Sequence, residues 1–576
     1  MIRFHLPPSL EHALAEARAG WGVARGTERL FARDASLWTG SGEERWLGWL
    51  DAPETALAWS ELWRKLSREA DAEGIQDVLL LGMGGSSLGA EVVFRVLGPP
   101  PSGRRLWVLD TTSPDQIRIV ESAIHLRSSF VVVASKSGTT LEPSLLLEYW
   151  LERFRQVYPT DWAKRFFAIT DPGSALEAEA LAHGFRRVIP GEPTIGGRFS
   201  VLSPFGMSVV SLLGYPWEVG VAVALGTAIV ARKPRVEQNP AVDLGLLLGV
   251  AASLGRDKLT LEFSETWQPL VAWLEQLLAE SLGKNGQLLL PVEGEPRREP
   301  SAYASDRLFV LLGESSTFPE RMTSLVASGQ PVVEIPLDRP EHLFAEFYRW
   351  ELATAVAGAW LGLNPFDQPD VEATKEATRQ LTRVLETSGS FPFEPPLLAE
   401  GTWLAWTDPG LQEEHRAVGS LSDLLRAHLQ RLGGGDYLAI LAYLPASEPI
   451  TARLRAIRDQ LARLTGAAVT VGFGPRYLHS TGQAHKGGAN RGVFLMLTAN
   501  PETDLPVPGR KLTFGQVLEA QARGDFKVLV ERRRRVLHLH ARGTAHEEAL
   551  EALEAALPSP GALGFEARLG SKPQVP

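Results

Sequence analysis

Val131-Val132-Val133-Ala134-Ser135-Lys136-Ser137-Gly138-Thr139-Thr140-Leu141-Glu142-Pro143 is the stretch on which the fold turns. The apolar β-branched run Phe130 to Val133 predicts a buried parallel strand. It empties into Ser135, Ser137, Thr139 and Thr140, and helical spacing returns from Glu142 to Phe154. A strand, a hydroxyl-rich turn and a helix N-terminus bring backbone N–H groups, side-chain hydroxyls and the positive end of a helix dipole to one spot. That is an anion cage. Lys136 is the cation inside it, and no Walker-type Lys follows Gly138, so the cage suits a phosphate monoester better than a triphosphate. An ordinary Ser/Thr-rich helix cap fits the loop equally well when it is taken alone.

At 576 residues the chain exceeds one core, and length alone suggests roughly three to four domains. The composition, 44% apolar and 22% charged, is that of a folded protein with no run fit to span a bilayer. Ile2 to Leu6 lacks the shape of a signal peptide. Zero Cys removes disulfides, thiolate ligands and Cys nucleophiles, and points to a reducing cytoplasm. A net charge of −10 argues against nucleic acid as a partner. The basic run Arg532 to Arg535 reads as a solvated helix end before a strand at Val536 to His540.

From Asp77 the pattern is strand, loop, helix, repeated. Strands are expected at Val78 to Leu81, Leu106 to Leu109, Val131, Phe166 to Ile169 and Arg187 to Ile189. Such alternation predicts a doubly wound α/β domain with ligands at the carboxyl ends of its strands. The first turn, Gly82-Met83-Gly84-Gly85-Ser86-Ser87-Leu88-Gly89, resembles a dinucleotide fingerprint, with Asp110 placed as a ribose-binding acid. A dehydrogenase is therefore an alternative. Yet it would not need the Ser135–Thr140 cage on a neighbouring strand, whereas a small phosphorylated molecule would use both loops.

Gly196-Gly197-Arg198-Phe199-Ser200 follows neither helix nor strand spacing. Its glycines permit close backbone approach to a ligand, and Arg198 offers a planar cation; a structural Arg pairing a carboxylate is the alternative. A second α/β unit starts near Asn239, with a helix at Asp243 to Leu254, a strand at Lys258 to Phe263 and an amphipathic helix at Trp267 to Ser281. Glu280 falls in that helix's last turn, before Gly283-Lys284-Asn285-Gly286. A carboxylate there opposes the helix dipole, a local rule broken without structural gain, as happens where a base is needed. Strands at Leu308 to Leu311 and Val332 to Ile335 and a helix from about Glu341 to Leu361 complete the unit. Asn364-Pro365-Phe366-Asp367-Gln368-Pro369 then leads into the helix of Lys375, which taken alone reads as a surface Lys.

Together, Gly-Met-Gly-Gly-Ser at 82–86, Ser-Lys-Ser-Gly-Thr-Thr at 135–140, Gly-Gly-Arg-Phe-Ser at 196–200, Glu-Ser-Leu-Gly-Lys at 280–284 and Asn-Pro-Phe-Asp-Gln-Pro at 364–369 resemble the glucose-6-phosphate isomerase family. The motifs keep that family's order over roughly residues 77–380. The resemblance implies a tandem of sugar-isomerase (SIS), flavodoxin-like domains and a homodimer. It implies an aldose–ketose isomerisation of glucose 6-phosphate and fructose 6-phosphate through a cis-enediol, with no metal and no cofactor. In that scheme Glu280 is the base and Arg198 offsets the enediol charge. Gly84, Gly85, Ser86, Ser135, Lys136, Ser137, Thr139 and Thr140 hold the substrate, its phosphate in the cage. Lys375 and Gln368 match the family's ring-opening Lys and the Gln before it.

The chain departs from the family in its ring-opening His, which the family carries before the closing Lys. Between 285 and 374 the only His is His342, in surroundings unlike the family's segment. Beyond a Pro-rich linker, Leu478-His479-Ser480-Thr481-Gly482-Gln483 is similar to the missing segment, with His485 a rival to His479. The layout is similar to the isomerase half of fused transaldolase–isomerases, although the segment before Asp77 is too short for a barrel of about 250 residues. The expected organisation is an N-terminal SIS domain with a helical extension over 1–230, a second over 231–387, a linker over 388–400 and an SIS-like α/β module over 401–576. An isomerase that also accepts mannose 6-phosphate, and a non-catalytic sugar-phosphate sensor, remain alternatives.

Overall fold

The computed structural model describes residues 2–392, 394–414, 419–559 and 563. Phe393 of the expected linker, and 415–418 and most of 560–576 of the expected C-terminal module, lie outside them. The fold is α/β, built on sheets that are mainly parallel. No described helix is long and apolar enough to cross a membrane. The chain divides into two compact units: Met1–Asp110 with Ile119–Leu282 and Leu308–Asp367, and Thr111–Arg118 with Gly283–Arg307 and Gln368–Pro576.

In the first unit, strands Arg105–Leu109, Asp77–Gly82, Ser129–Ala134, Phe166–Thr170 and Arg187–Pro190 lie side by side in that order, all parallel. Numbered along the chain this is 2-1-3-4-5, the doubly wound order, whose switch point falls between the first and third strands. Every residue of Asp77–Gly82 and Ser129–Ala134 is buried, as expected of unalternating apolar strands covered on both faces. The loops leaving these two strands, at 83–87 and 135–140, therefore flank the switch point. A second sheet in the same unit pairs Arg3–His5 antiparallel with Val332–Pro336, which runs parallel to Arg307–Gly313. The Arg3–His5 strand is too short to have shown in the sequence.

Several tryptophans of the N-terminal extension enter this core. Trp49 is fully buried against Phe199, Tyr348 and Phe366, with ring centroids 5.2, 6.1 and 6.5 Å away. The Trp38 indole N–H donates to the Ala355 carbonyl at 2.8 Å, and its ring meets Phe366 edge-on at 5.4 Å. Aromatic pairs of this kind contribute beyond the area they bury. The extension is thus part of the wall behind the Arg198 segment.

The second unit holds one six-stranded sheet in the order Leu398–Glu400, Trp403–Thr407, Arg535–Ala541, Gly492–Ala499, Tyr437–Tyr443, Ala468–Phe473. The first two strands are antiparallel and the last four parallel. Along the chain those four fall in the order 4-3-1-2, so their switch point mirrors that of the first sheet. Helix Phe514–Glu531 starts on a capping box, with Thr513 Oγ1 accepting from the Gln516 N–H and the Gln516 side chain accepting from the Thr513 N–H.

The basic run that follows corrects an expectation. Only its first half is a solvated helix end: Arg532 and Arg533 directly follow the last helical residue, Glu531, and are exposed. Arg532 pairs with Asp370 at 2.7 Å, Arg534 is buried, and Arg535 opens the strand and pairs with Asp436 at 2.6 Å. The guanidiniums of Arg532, Arg534 and Arg535 reach a carboxylate or backbone carbonyls from another segment, which a scan for charge runs cannot register.

Candidate functional site

The geometry at the first switch point begins with glycine. A Cβ on Gly85 would stand 1.9 Å from the Gly197 carbonyl oxygen and 2.7 Å from the Arg198 nitrogen. Only a bare backbone lets the 83–87 turn lie against the 3-10 turn Gly197–Phe199. Ser200 Oγ ties the two together, donating to the carbonyls of Gly197 at 2.6 Å and Gly85 at 3.3 Å. Gly84 and the half-exposed Ser86 complete the turn.

In the 135–140 loop, Gly138 takes φ +68°, and a Cβ there would meet the Leu176 nitrogen at 2.4 Å. Buried Ser135 accepts from the Gly138 N–H at 3.2 Å and contacts Thr140 Oγ1 at 3.4 Å. Ser137 and Thr139 share a hydroxyl bond of 2.9 Å and are exposed. Thr140 begins helix Leu141–Val157 without using its side chain as a cap, so its hydroxyl is not consumed by the helix end. The pure N-cap reading is therefore the poorer account of this loop.

Lys136 behaves otherwise than expected of a cage cation. Its ammonium sits 2.6 Å from Asp171 Oδ2 and donates to the Glu192 and Pro193 carbonyls at 3.2 Å. The Trp46 ring lies 5.7 Å away. A carboxylate and two carbonyls satisfy all three of its N–H donors, so the positive character of the loop comes from backbone N–H groups and the helix end.

Arg198 is buried at 3% exposure and fixed from three sides. Nε donates to Ser281 Oγ at 2.7 Å, and Nη2 to the carbonyls of Pro365 at 2.7 Å and Asp367 at 2.9 Å. Nη1 faces Glu280 Oε2 at 3.5 Å. Burial works against its charge, and Glu280 and Asp367 work to restore it. Such a pair is costly to desolvate, so it makes poor sense as a stabilising device.

Glu280 lies in the last turn of helix Leu270–Leu282 and is 7% exposed. Gln276, one turn earlier on the same face, donates to Glu280 Oε2 at 3.2 Å. Gln276 and Ser281 were missed in the sequence, although their spacing from Glu280 was visible. The helix thus presents a carboxylate and, beside it, the hydroxyl that receives the Arg198 Nε–H.

The remaining candidates belong to the second unit. Lys375 sits in the second turn of helix Val371–Ser388 and pairs with Glu372 Oε1 at 2.7 Å, with its side chain 37% exposed. Gln368 is half-buried just before that helix. His479 ends the 3-10 turn Arg476–His479 and is half-buried. That turn is rooted by Tyr477, whose hydroxyl bonds to Asp525, itself 2.6 Å from the buried Lys486 ammonium.

His485 is of a different kind. It is buried, its Nδ1 lies 2.9 Å from the Tyr437 hydroxyl, and its ring packs among Tyr437, Tyr477 and Phe494. Burial, helped by Lys486 and Arg534, pushes its pKa down to about 3. It stays neutral through the physiological range.

Residues 65–289 match the family described as Phosphoglucose isomerase. The chain is 30% identical over 389 residues to the glucose-6-phosphate isomerase of Symbiobacterium thermophilum, covering 57% of this chain and 85% of that one. It is 30% identical over 398 residues to that of Exiguobacterium sibiricum, covering 59% and 87%. A solved hypothetical protein from Thermus thermophilus superposes with a TM-score of 0.56 at 26% identity, over 66% of this chain and 99% of that one.

Proposed function

The chain belongs to the phosphoglucose isomerase family and interconverts glucose 6-phosphate and fructose 6-phosphate, and we propose that it does so through a cis-enediol made by Glu280 and Arg198. One observation carries this reading. The buried Arg198 guanidinium, held by Ser281, Pro365 and Asp367, faces the Glu280 carboxylate at 3.5 Å. Glu280 takes the proton from C2 and returns it to C1, moving the carbonyl between the two carbons. Arg198 offsets the negative charge that grows on the enediol oxygens, where a fixed buried cation acts with little reorganisation. Gln276 holds the carboxylate's rotamer.

The phosphate lies in the cage of Ser135, Ser137, Thr139 and Thr140, with Ser86 and the Gly84–Gly85 backbone opposite. Binding energy at that unreactive end orients C1 and C2. Lys136 braces the loop from behind. His479 and Lys375, with Gln368 seven residues before the latter, open the pyranose ring before isomerisation; the burial of His485 among Tyr437, Tyr477 and Phe494 supports His479 over His485 in that role. The repeated doubly wound strand order supports reading the chain as tandem SIS domains with an added module of the same class. It further supports a relation to the isomerase half of fused transaldolase–isomerases. The cysteine-free composition supports a cytoplasmic enzyme, and the family resemblance supports a homodimer.

A coupled assay starting from fructose 6-phosphate tests the activity. For the cage, alanine at Ser135, Ser137 and Thr140 together should raise KM far more than it lowers kcat, because the lost contacts are equal in ground and transition states. Inhibition by inorganic phosphate and by 6-phosphogluconate should weaken in parallel. Unchanged inhibition in the triple variant would remove the phosphate from this loop.

A further inference from the structure

We propose that Asp370 is a positioning residue for ring opening: held by Gln483 and Arg532, it fixes the start of the Lys375 helix against the segment that carries His479. This rests on the ring-opening roles proposed above for Lys375 and His479. Asp370 immediately precedes helix Val371–Ser388 and is buried, yet its side chain does not cap that helix. Its carboxylate is used between segments instead. Oδ2 accepts from Gln483 Nε2 at 2.7 Å, while the Asp370 N–H donates to Gln483 Oε1 at 3.0 Å. Oδ1 faces Arg532 at 2.7 Å.

Gln483 is fully buried and belongs to the short helix Gly482–Gly487, which follows the Arg476–His479 turn. Its amide also donates to the Gly283 carbonyl at 3.3 Å. The contact is made against bare backbone, since a Cβ on Gly487 would lie 2.1 Å from Asp370 Oδ2. Arg534 grips the far end of the short helix, donating to the carbonyls of Lys486 and Gly488.

A two-point amide–carboxylate pair fixes orientation as well as distance, and a charged acceptor makes it stronger than a neutral bond. The Arg532 contact is half-exposed and contributes less. Lys375 lies a turn and a half beyond Asp370 on the same helix, and its ion pair is local, to Glu372. The helix start, and hence Asp370, decides where that ammonium reaches. In this chain the His segment follows the Lys helix in sequence, so a side-chain link between the two supplies what chain order does not.

The test compares kcat on cyclic glucose 6-phosphate with C2-proton exchange on an aldose phosphate whose blocked 5-hydroxyl prevents pyranose closure. In the full chain, Asp370→Ala and Gln483→Leu should lower the first by about 10–100-fold, as small misplacements of catalytic groups do. Exchange on the open-chain substrate and KM should stay within about twofold, since the base and cage are untouched. Asp370→Asn, which keeps an acceptor for Gln483, should recover part of the loss. Turnover unchanged in both variants, or both reactions slowed alike, would overturn the proposal. Should these core variants not fold, Arg532→Gln decides: a loss of a few-fold confined to the cyclic sugar supports it, and no change overturns it. His479→Asn and Lys375→Ala, run alongside, separate the two levels. If they leave cyclic turnover intact, the ring-opening roles fail; if they cripple it and the Asp370 variants do not, only the positioning role fails.

Discussion

Glu280→Gln should lose isomerisation by about 10⁴-fold or more, because a sole base at C2 sits at or above the top of the range for general-base catalysis. Binding of 6-phosphogluconate should stay nearly unchanged. The amide keeps the carboxylate's shape, so it still fits beside Gln276 and Arg198 at the end of helix Leu270–Leu282. It has no basic lone pair with which to take a proton. The substitution does leave the Arg198 guanidinium without its anionic neighbour, but Ser281, Pro365 and Asp367 continue to hold it. The loss should therefore fall on kcat and not on folding. A variant keeping more than about a tenth of wild-type turnover would rule Glu280 out as the base, since such a loss is far below what a base supplies.

His479→Asn should produce the second-largest effect, and a selective one. Turnover of cyclic glucose 6-phosphate should fall by about 10²-fold, the lower end of acid–base contributions, because ring opening has uncatalysed routes in water. Proton exchange at C2 of an open-chain aldose phosphate should persist, since that step uses Glu280. His485→Asn is the informative control. His485 is neutral down to about pH 3 and locked to Tyr437, so its loss should cost stability of the C-terminal sheet and spare the chemistry. Full activity of His479→Asn on the cyclic sugar would take the C-terminal segment out of catalysis.

The architecture was legible in the sequence wherever apolar runs alternate with helical spacing. Val131 to Val133 and Leu79 to Leu81 are buried strand residues because nothing but a covered parallel sheet accepts such runs. Two three-residue edge strands were not legible: Arg3–His5 and Leu398–Glu400 have too few residues to establish a period. At the candidate site, Arg198 and Glu280 were legible from their local settings, a cation after two glycines and a carboxylate at a negative helix end. Their partners were not. Ser281, Gln276 and the Pro365 and Asp367 carbonyls act through distance in space, and carbonyls leave no trace in residue identity. Lys136 shows the opposite error, a charge placed correctly in the loop and then satisfied by Asp171, a residue with no motif of its own. The tryptophans of the N-terminal extension carried no pattern, yet Trp38 and Trp49 pack on Phe366, which lies between Pro365 and Asp367, the two residues whose carbonyls hold Arg198.

The account's central claim is that one carboxylate, Glu280, moves the proton between C2 and C1. The most direct measurement follows fructose 6-phosphate by proton magnetic resonance in deuterated water, with wild-type enzyme and with Glu280→Gln. Wild type should replace one prochiral hydrogen at C1 with deuterium while forming glucose 6-phosphate that carries deuterium at C2, because an enediol held by an exchangeable base takes its proton from solvent part of the time. Glu280→Gln should show neither signal above the enzyme-free rate. Exchange at C1 surviving in Glu280→Gln, or isomerisation in wild type without any deuterium entering either position, would contradict the claim.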